Sequence, residues 1–272
     1  MRLIIRCPVR PVAYDAEDWS SQDLYFSWVQ STETDFKKVL DLDALPVADS
    51  VLAIIPGIDI RLTELKVPAV SNKKIIQLLP MLIEDELLSS VSDTSIQLLP
   101  PMLNQSPELR LVSVINRDWL LWLSQKLAVI NCEKIQLIPE SMLLPVSDSV
   151  VYFQQEDTTH FYTAKKSASE IICWSQPATV PILVTDELNI QPELLALSSP
   201  LLMRGIALEK KSYDTINLLP DAFFDFRRER QSELQHWLSR DLWKVPLRWT
   251  KFATLTLCVS YLSYLLALVW QD

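Results

Sequence analysis

Short apolar runs alternate with polar punctuation along the first 145 residues, and two periods can be told apart. Period-two alternation or unbroken β-branched runs mark strands at Leu3–Cys7, Leu24–Val29, Val51–Ile55, Ile58–Val67, Ser95–Leu99 and Arg110–Ile115. In the fourth run Ile58, Ile60, Leu62 and Leu65 alternate with Asp59, Arg61 and Thr63, which predicts one buried and one wet face. Helical spacing then takes over from about Ser71 to Ser89, where Ile75, Ile76, Leu78, Leu79, Leu82, Ile83 and Leu87 recur behind the caps Ser71 and Asn72. Pro80 inside that pattern is expected to kink the helix rather than end it, because the apolar phase resumes beyond it. A second helix starts at the cap Asn116, with Trp119, Leu120, Leu123, Leu127 and Ile130 on one face, and Lys134–Ile138 reads as a returning strand.

The proline-punctuated stretch Pro139–Pro145 reads as a hinge to a second part, with strands at Val150–Gln154, Phe161–Ala164, Ile171–Trp174 and Ile182–Val184. From Phe223 the pattern turns helical: Leu234, Trp237, Leu238, Leu242 and Val245 trace one face until Pro246 interrupts. Phe252–Trp270 is then 19 residues without a charge, enough to cross roughly 28 Å as a helix. The expected layout is therefore a mixed α/β region in two parts (1–145 and 146–222), a basic stalk (223–251) and one transmembrane helix (252–270). No internal repeat is visible.

Charge gives this layout an orientation. Arg240, Lys244, Arg248 and Lys251 precede the span and only Gln271 and Asp272 follow it, so the N-terminal bulk is expected on the cytoplasmic side of the membrane. Residues 227–251 carry net +4 and Asp272 carries −1; with −9 in total, −12 remains on residues 1–226. Such an acidic region repels nucleic acid and excludes that class of partner.

Glycine bears on chemistry. Only Gly57 and Gly205 occur in 272 residues, so a Walker A loop, a GxGxxG turn and a kinase glycine loop are all absent. Cys7, Cys132, Cys173 and Cys258 lack CxxC spacing and read as buried apolar side chains in a reducing compartment. His160 and His236 have no acid or nucleophile nearby in sequence. No residue is assigned a catalytic, cofactor-binding or metal-ligating role.

Three segments taken together resemble the type II secretion inner-membrane platform protein L family. They are VPAVSNKKIIQLLPMLIEDELLSSVSD (Val67–Asp93), INRDWLLWLSQKLAVINCEKIQLIPESMLLP (Ile115–Pro145) and INLLPDAFFDFRRE (Ile216–Glu229), followed by a basic stalk and a span. The resemblance implies a cytoplasmic actin-like, RNase H-type fold that recruits the secretion ATPase (protein E), and a span that works with platform proteins M and F. It also implies a periplasmic domain after the span. The chain stops two residues beyond Trp270, which suggests truncation, or a tail-anchored protein if Asp272 is the true end. Two alternatives share the implied fold: a type IV pilus alignment scaffold, which divides these segments between two chains, and a membrane-anchored actin-like ATPase.

Glycine placement tests the ATPase reading. Active actin-like proteins carry an Asp-x-Gly phosphate loop after the first strand of each half. Here the first strand runs into Cys7-Pro8-Val9-Arg10, where Pro8 has no amide donor, and the second half offers Gln154-Gln155-Glu156-Asp157-Thr158. Acids without glycine or lysine repel a phosphate, so any nucleotide cleft is expected to be vestigial.

The remaining candidates are surfaces. Glu84, Asp85 and Glu86 form an acidic cluster that reads as a solvated helix face, a docking patch for a basic partner, or a metal site. Consecutive helical residues project about 100° apart, which disfavours the metal. Leu218 and Leu219, in Asn217-Leu218-Leu219-Pro220, belong either to an extended linker or to a tether that docks onto this domain or a neighbour. Asp221 stands where the family usually has glycine. Within the span, Ala253, Thr256, Ser260, Ser263 and Ala267 are spaced 3, 4, 3, 4, a small-residue seam suited to a parallel homodimer or to pairing with protein M.

Overall fold

The structure, a computed structural model, describes residues 1–11, 19, 23–33, 35–87, 90–101, 108–147, 151–155, 159–167, 170–177, 179, 195–197, 206 and 215–228. The chain divides into a compact unit Met1–Phe223 and a second unit Phe224–Asp272. In the second, residues 224–228 are helical. Among the described residues no helix is long and apolar enough to cross a membrane. The stalk beyond residue 228, the span 252–270 with its seam of Ala253, Thr256, Ser260, Ser263 and Ala267, the predicted strand Ile182–Val184, and the turn at 156–158 lie outside the described residues.

The first unit is mixed α/β and built on three sheets. In the first sheet, β1 (Arg2–Arg6), β2 (Phe26–Gln30), β3 (Lys37–Val39), β4 (Ser50–Ile55) and β8 (Lys134–Pro139) lie in the order β3-β2-β1-β4-β8. β4 runs parallel to β1, β8 parallel to β4, β2 antiparallel to β1, and β3 antiparallel to β2. Only β2 therefore opposes the others, which is the arrangement of an RNase H-type sheet. The central strands read as unbroken apolar runs because both faces are covered: Leu3, Ile4, Ile5 and Leu52 to Ile55 have no exposed surface.

Between β4 and β8 the chain inserts a second, antiparallel sheet of β5 (Ile60–Lys66), β7 (Leu109–Asn116) and β6 (Thr94–Leu98), with β7 in the middle. Helix α1 (Asn72–Ile83) covers it, and Ile75, Leu79 and Ile83 at helical spacing meet Leu65, Val67, Val112 and Val114 in one core. Helix α2 (Arg117–Ala128) is capped as expected, Asn116 Oδ1 accepting the Trp119 N–H at 2.9 Å. Trp119 and Trp122 of α2 stack with centroids 4.8 Å apart, and Phe26 of β2 stacks on Trp122. These rings pack α2 against the first sheet.

The third sheet holds β9 (Val151–Gln155), β10 (Thr159–Lys165), β11 (Ile171–Pro177) and β12 (Leu195–Leu197) in the order β11-β10-β9-β12. β9, β10 and β11 form an antiparallel meander, and β12 runs parallel to β9. This repeats the β3-β2-β1-β4 plan of the first sheet, a two-fold topology with no counterpart in residue identities.

Several elements differ from the pattern-based reading. The run Ile58–Val67 is not one strand: a single 3₁₀ turn at Gly57–Asp59 precedes β5. Helix α1 continues only three residues past Pro80, and Glu84–Glu86 form a separate 3₁₀ turn. Pro139–Pro145 is no open hinge, because Glu140, Ser141, Met142, Leu143 and Leu144 are all buried. Lys165 of β10 pins that stretch by donating to the carbonyls of Ser141 at 2.6 Å and Leu144 at 2.7 Å.

Candidate functional site

Ligands of open parallel sheets bind outside the carboxyl ends of the strands. Here β1 and β4 end side by side, with Cys7 N–H still bonded to the Ile54 carbonyl at 2.9 Å, and the chain then turns at Pro8 and at Pro56-Gly57. Two backbone donors emerge at this end, and both are taken by carboxylates of the chain itself. The Arg10 N–H donates to Asp59 Oδ2 at 2.9 Å, and the Gly57 N–H donates to Glu140 Oε2 at 3.1 Å. Glu140 Oε1 in turn accepts from Arg6 Nη2, so both of its oxygens are occupied. Arg6 and Glu140 are each 4% exposed, and removing one partner of such a buried pair is strongly destabilising.

Gly57 is needed here for close approach rather than for a special φ. A Cβ at this position would stand 2.9 Å from Cys173 Sγ and 3.3 Å from Thr163 Oγ1, so the turn at Gly57–Asp59 can seat against β10 and β11 only without a side chain. Cys173 Sγ and Thr163 Oγ1 are themselves 3.5 Å apart.

Beside this contact lies a cavity of about 580 Å³, with Arg10, Asp59, Arg61, Asn116 and Ser141 among its polar lining and Ile60, Val114 and Ile171 among its apolar walls. Asp59 keeps some surface, and that surface lines the cavity. Burial pushes its carboxyl up to about 7; the Arg10 N–H and charge and the nearby Trp119 indole oppose the rise, and the Glu140 charge adds to it. The Trp119 indole N–H is buried and stops short of hydrogen-bond geometry. Burial raises the Cys173 thiol to about 11, with Glu140 and Asp59 contributing, and burial with the Asp59 charge raises Cys7 further. Such thiols are inert at neutral pH. Among the described residues no group of three or more His, Cys, Asp or Glu could hold a metal ion.

Sequence pattern missed this cluster. Asp59 reads as the wet face of an alternating strand, whereas it is enclosed beyond a break in that strand. Arg6 and Glu140 are 134 residues apart, and the one available signal was a charge placed within each of two apolar runs.

The predicted surface residues fall into two groups. Glu84, Asp85 and Glu86 are exposed, but they do not act as one unit. Glu86 turns back on β5: its carbonyl accepts from Arg61 Nη1 at 2.6 Å, and its Oε2 accepts from Thr63 Oγ1 at 3.1 Å. Glu84 and Asp85 stay outward, beside Met81, which is 66% exposed.

Leu218 and Leu219 are buried instead of free. The Leu218 N–H donates to the Leu137 carbonyl at 2.9 Å, and the Leu137 N–H donates to Asn217 Oδ1 at 2.9 Å, so the segment adds to the free edge of β8. Gln136 Nε2 donates to the Ile216 carbonyl at 2.6 Å, and Gln97 Nε2 to the Leu218 carbonyl at 2.9 Å. Leu218 is 0% exposed, and Ile216 and Phe223 are buried alongside it.

No known family's sequence pattern matches the chain, and no curated protein matches it. Its structure is similar to the cytoplasmic domain of EpsL, an inner membrane component of the type II secretion system of Vibrio cholerae, at TM-score 0.52 and 17% identity. That match covers 82% of this chain and 99% of that domain. Weaker likenesses are to a chain of the PilM-PilN type IV pilus biogenesis complex (TM-score 0.32, 11% identity, 73% of this chain and 59% of that one) and to a Bacteroides thetaiotaomicron protein with an actin-like ATPase fold and unknown function (TM-score 0.33, 9% identity, 75% and 95%). The chain thus shares the fold of the EpsL cytoplasmic domain.

Proposed function

We propose that this chain is a non-catalytic inner-membrane scaffold of a type II secretion system. It recruits the cytoplasmic secretion ATPase (protein E) and couples it to a platform containing proteins M and F. The observation that carries this reading is the fold likeness across nearly the whole EpsL cytoplasmic domain. A non-catalytic role draws support from the cleft, where Asp59 and Glu140 already take the amide donors that an anionic ligand would need. The span 252–270 anchors the scaffold with its N-terminal region in the cytoplasm, and the seam from Ala253 to Ala267 pairs it with a second span. The tether at Asn217-Leu218-Leu219-Pro220 fixes where the chain leaves the first unit on its way to the stalk.

Glu84 and Asp85, beside exposed Met81, are the docking surface of this reading: two outward carboxylates on an apolar border suit a basic partner face. The test is the affinity of the full chain, in mild detergent, for the N-terminal region of the secretion ATPase. Double reversal of Glu84 and Asp85 to Lys weakens binding by about tenfold at low salt, and the difference shrinks as salt rises. An unchanged dissociation constant at low salt rejects this surface; failure of the wild-type chain to bind rejects the scaffold.

A further inference from the structure

We infer that the outer face of α1 is a docking surface for a second copy of this chain, which lies antiparallel across it about a two-fold axis. The inner face of the helix is taken up by the core, where Ile75, Leu79 and Ile83 pack. Outward, Lys73, Gln77, Pro80 and Glu84 follow one another at spacings of four, three and four, with Ile76 and Met81 on either side of that line. All six are exposed, Ile76 to 55% and Met81 to 66%. Exposed apolar residues rimmed by polar ones mark interaction surfaces.

The order of these residues selects a second copy as the occupant. Turned antiparallel about a midpoint between Leu78 and Leu79, the face meets itself with Lys73 opposite Glu84, Ile76 opposite Met81 and Gln77 opposite Pro80. Each pairing occurs twice, so two ion pairs flank an apolar centre. Pro80 has no N–H to offer the Ile76 carbonyl, and the Gln77 amide of the other copy arrives opposite that acceptor.

The end charges of α1 are also misplaced for a helix standing alone. A helix favours anions at its N-terminus and cations at its C-terminus, yet α1 has no acid in its first turn and no base in its last, with Lys73 near its start and Glu84 at its end. Ser71 supplies no side-chain cap. Antiparallel pairing reverses the mismatch, because each copy brings Glu84 to the other's N-terminus and Lys73 to the other's C-terminus. Among the described residues the side chains of Lys73 and Glu84 enter no ion pair, so both are available.

The contact is small. Two faces of 12 residues, each about 18 Å long, fall short of the ~1,200 Å² of a stable complex, so the copies exchange rather than lock. Exchange leaves Glu84 open to the secretion ATPase in turn, a step that alone rests on the proposed function.

The test traps the contact in the full chain in mild detergent. A Cys258→Ser background carries either Gln77→Cys, beside the two-fold axis, or Arg117→Cys, at an exposed position on α2, and a short bismaleimide links the cysteines. Covalent dimer is expected from Gln77→Cys and not from Arg117→Cys. In the Gln77→Cys chain, Lys73→Glu or Glu84→Lys alone is expected to cut the dimer yield about tenfold at low salt, because symmetry turns both attractive pairs repulsive. Both reversals in one chain, or a mixture of the two single variants, are expected to restore the yield to within about twofold, since every pair is again opposite in sign. The doubly reversed chain still lacks the Glu84 carboxylate, so it is expected to pair with itself while binding the ATPase's N-terminal region more weakly, and either reading can fail without the other. No trapping at Gln77→Cys, a yield indifferent to the single reversals, or a double reversal as poor as the singles each overturns the proposal.

Discussion

Replacing Asp59 by Asn removes a buried charge and keeps an acceptor for the Arg10 N–H, so its effect on stability isolates the cost of ionising this site. In the folded chain the carboxyl titrates near 7, against 3.8 as the ordinary value. Below that ordinary value both states are protonated and the site costs nothing. As pH rises toward 7 the unfolded chain releases its proton first, and stability falls; above 7 the loss is constant. The span of the shift sets a ceiling of about 4 kcal/mol on that loss. Solvent at the exposed part of Asp59 screens part of it, and roughly 2 kcal/mol is the expected gain of Asp59→Asn at pH 8. The assay is urea unfolding of the full chain in mild detergent, followed by tryptophan fluorescence at pH 4, 6 and 8 with the slopes compared. Wild type and variant are expected to coincide at pH 4 and to separate progressively, the variant being the more stable. A pH-independent difference, or a variant less stable at pH 8, refutes the placement of Asp59 in an enclosed site.

Other substitutions probe the contacts around the cleft and the tether. Gly57→Ala forces a Cβ against Cys173 and Thr163 and is expected to cost about 1–3 kcal/mol in the same unfolding assay, with Cys173→Ala recovering part of it. Glu140→Gln removes the buried carboxylate charge paired with Arg6; a loss of about 3–5 kcal/mol is expected, far beyond that of a surface acid such as Glu108. Asn217→Ala removes the acceptor for the Leu137 N–H and is expected to raise amide exchange at Leu137 and Leu218 about tenfold, while exchange in β1 stays unchanged. Cys7 and Cys173 are expected to resist alkylation at pH 7.5 until urea unfolds the chain, as read by mass spectrometry.

Much of the scaffold was legible because burial on both faces leaves a plain trace. β1 and β4 are built on unbroken apolar runs, β8 is broken only by Gln136, and α2 announces itself with a cap and a one-sided face. β3 was missed, since a three-residue edge strand of Lys37, Lys38 and Val39 has no apolar period to read. The end of α1 at Ile83 was also hidden, because the apolar phase runs on to Leu87 while the backbone has already tightened. The site was less legible than the fold. Asp59, Glu140 and Arg6 acquire meaning only when strands far apart in sequence are laid together, and alternation alone places Asp59 in water. Asn217-Leu218-Leu219-Pro220 stood out as a motif, but its place along the edge of β8 is set by register with Leu137.

Calorimetric titration of the full chain with MgATP tests most directly whether this fold has become a docking body, with the donors of its cleft satisfied from within. The expected result is no saturable heat up to millimolar nucleotide, with or without the secretion ATPase's N-terminal region bound. Saturable binding at micromolar MgATP would contradict it, because the Arg10 and Gly57 amides would then have to exchange Asp59 and Glu140 for phosphate.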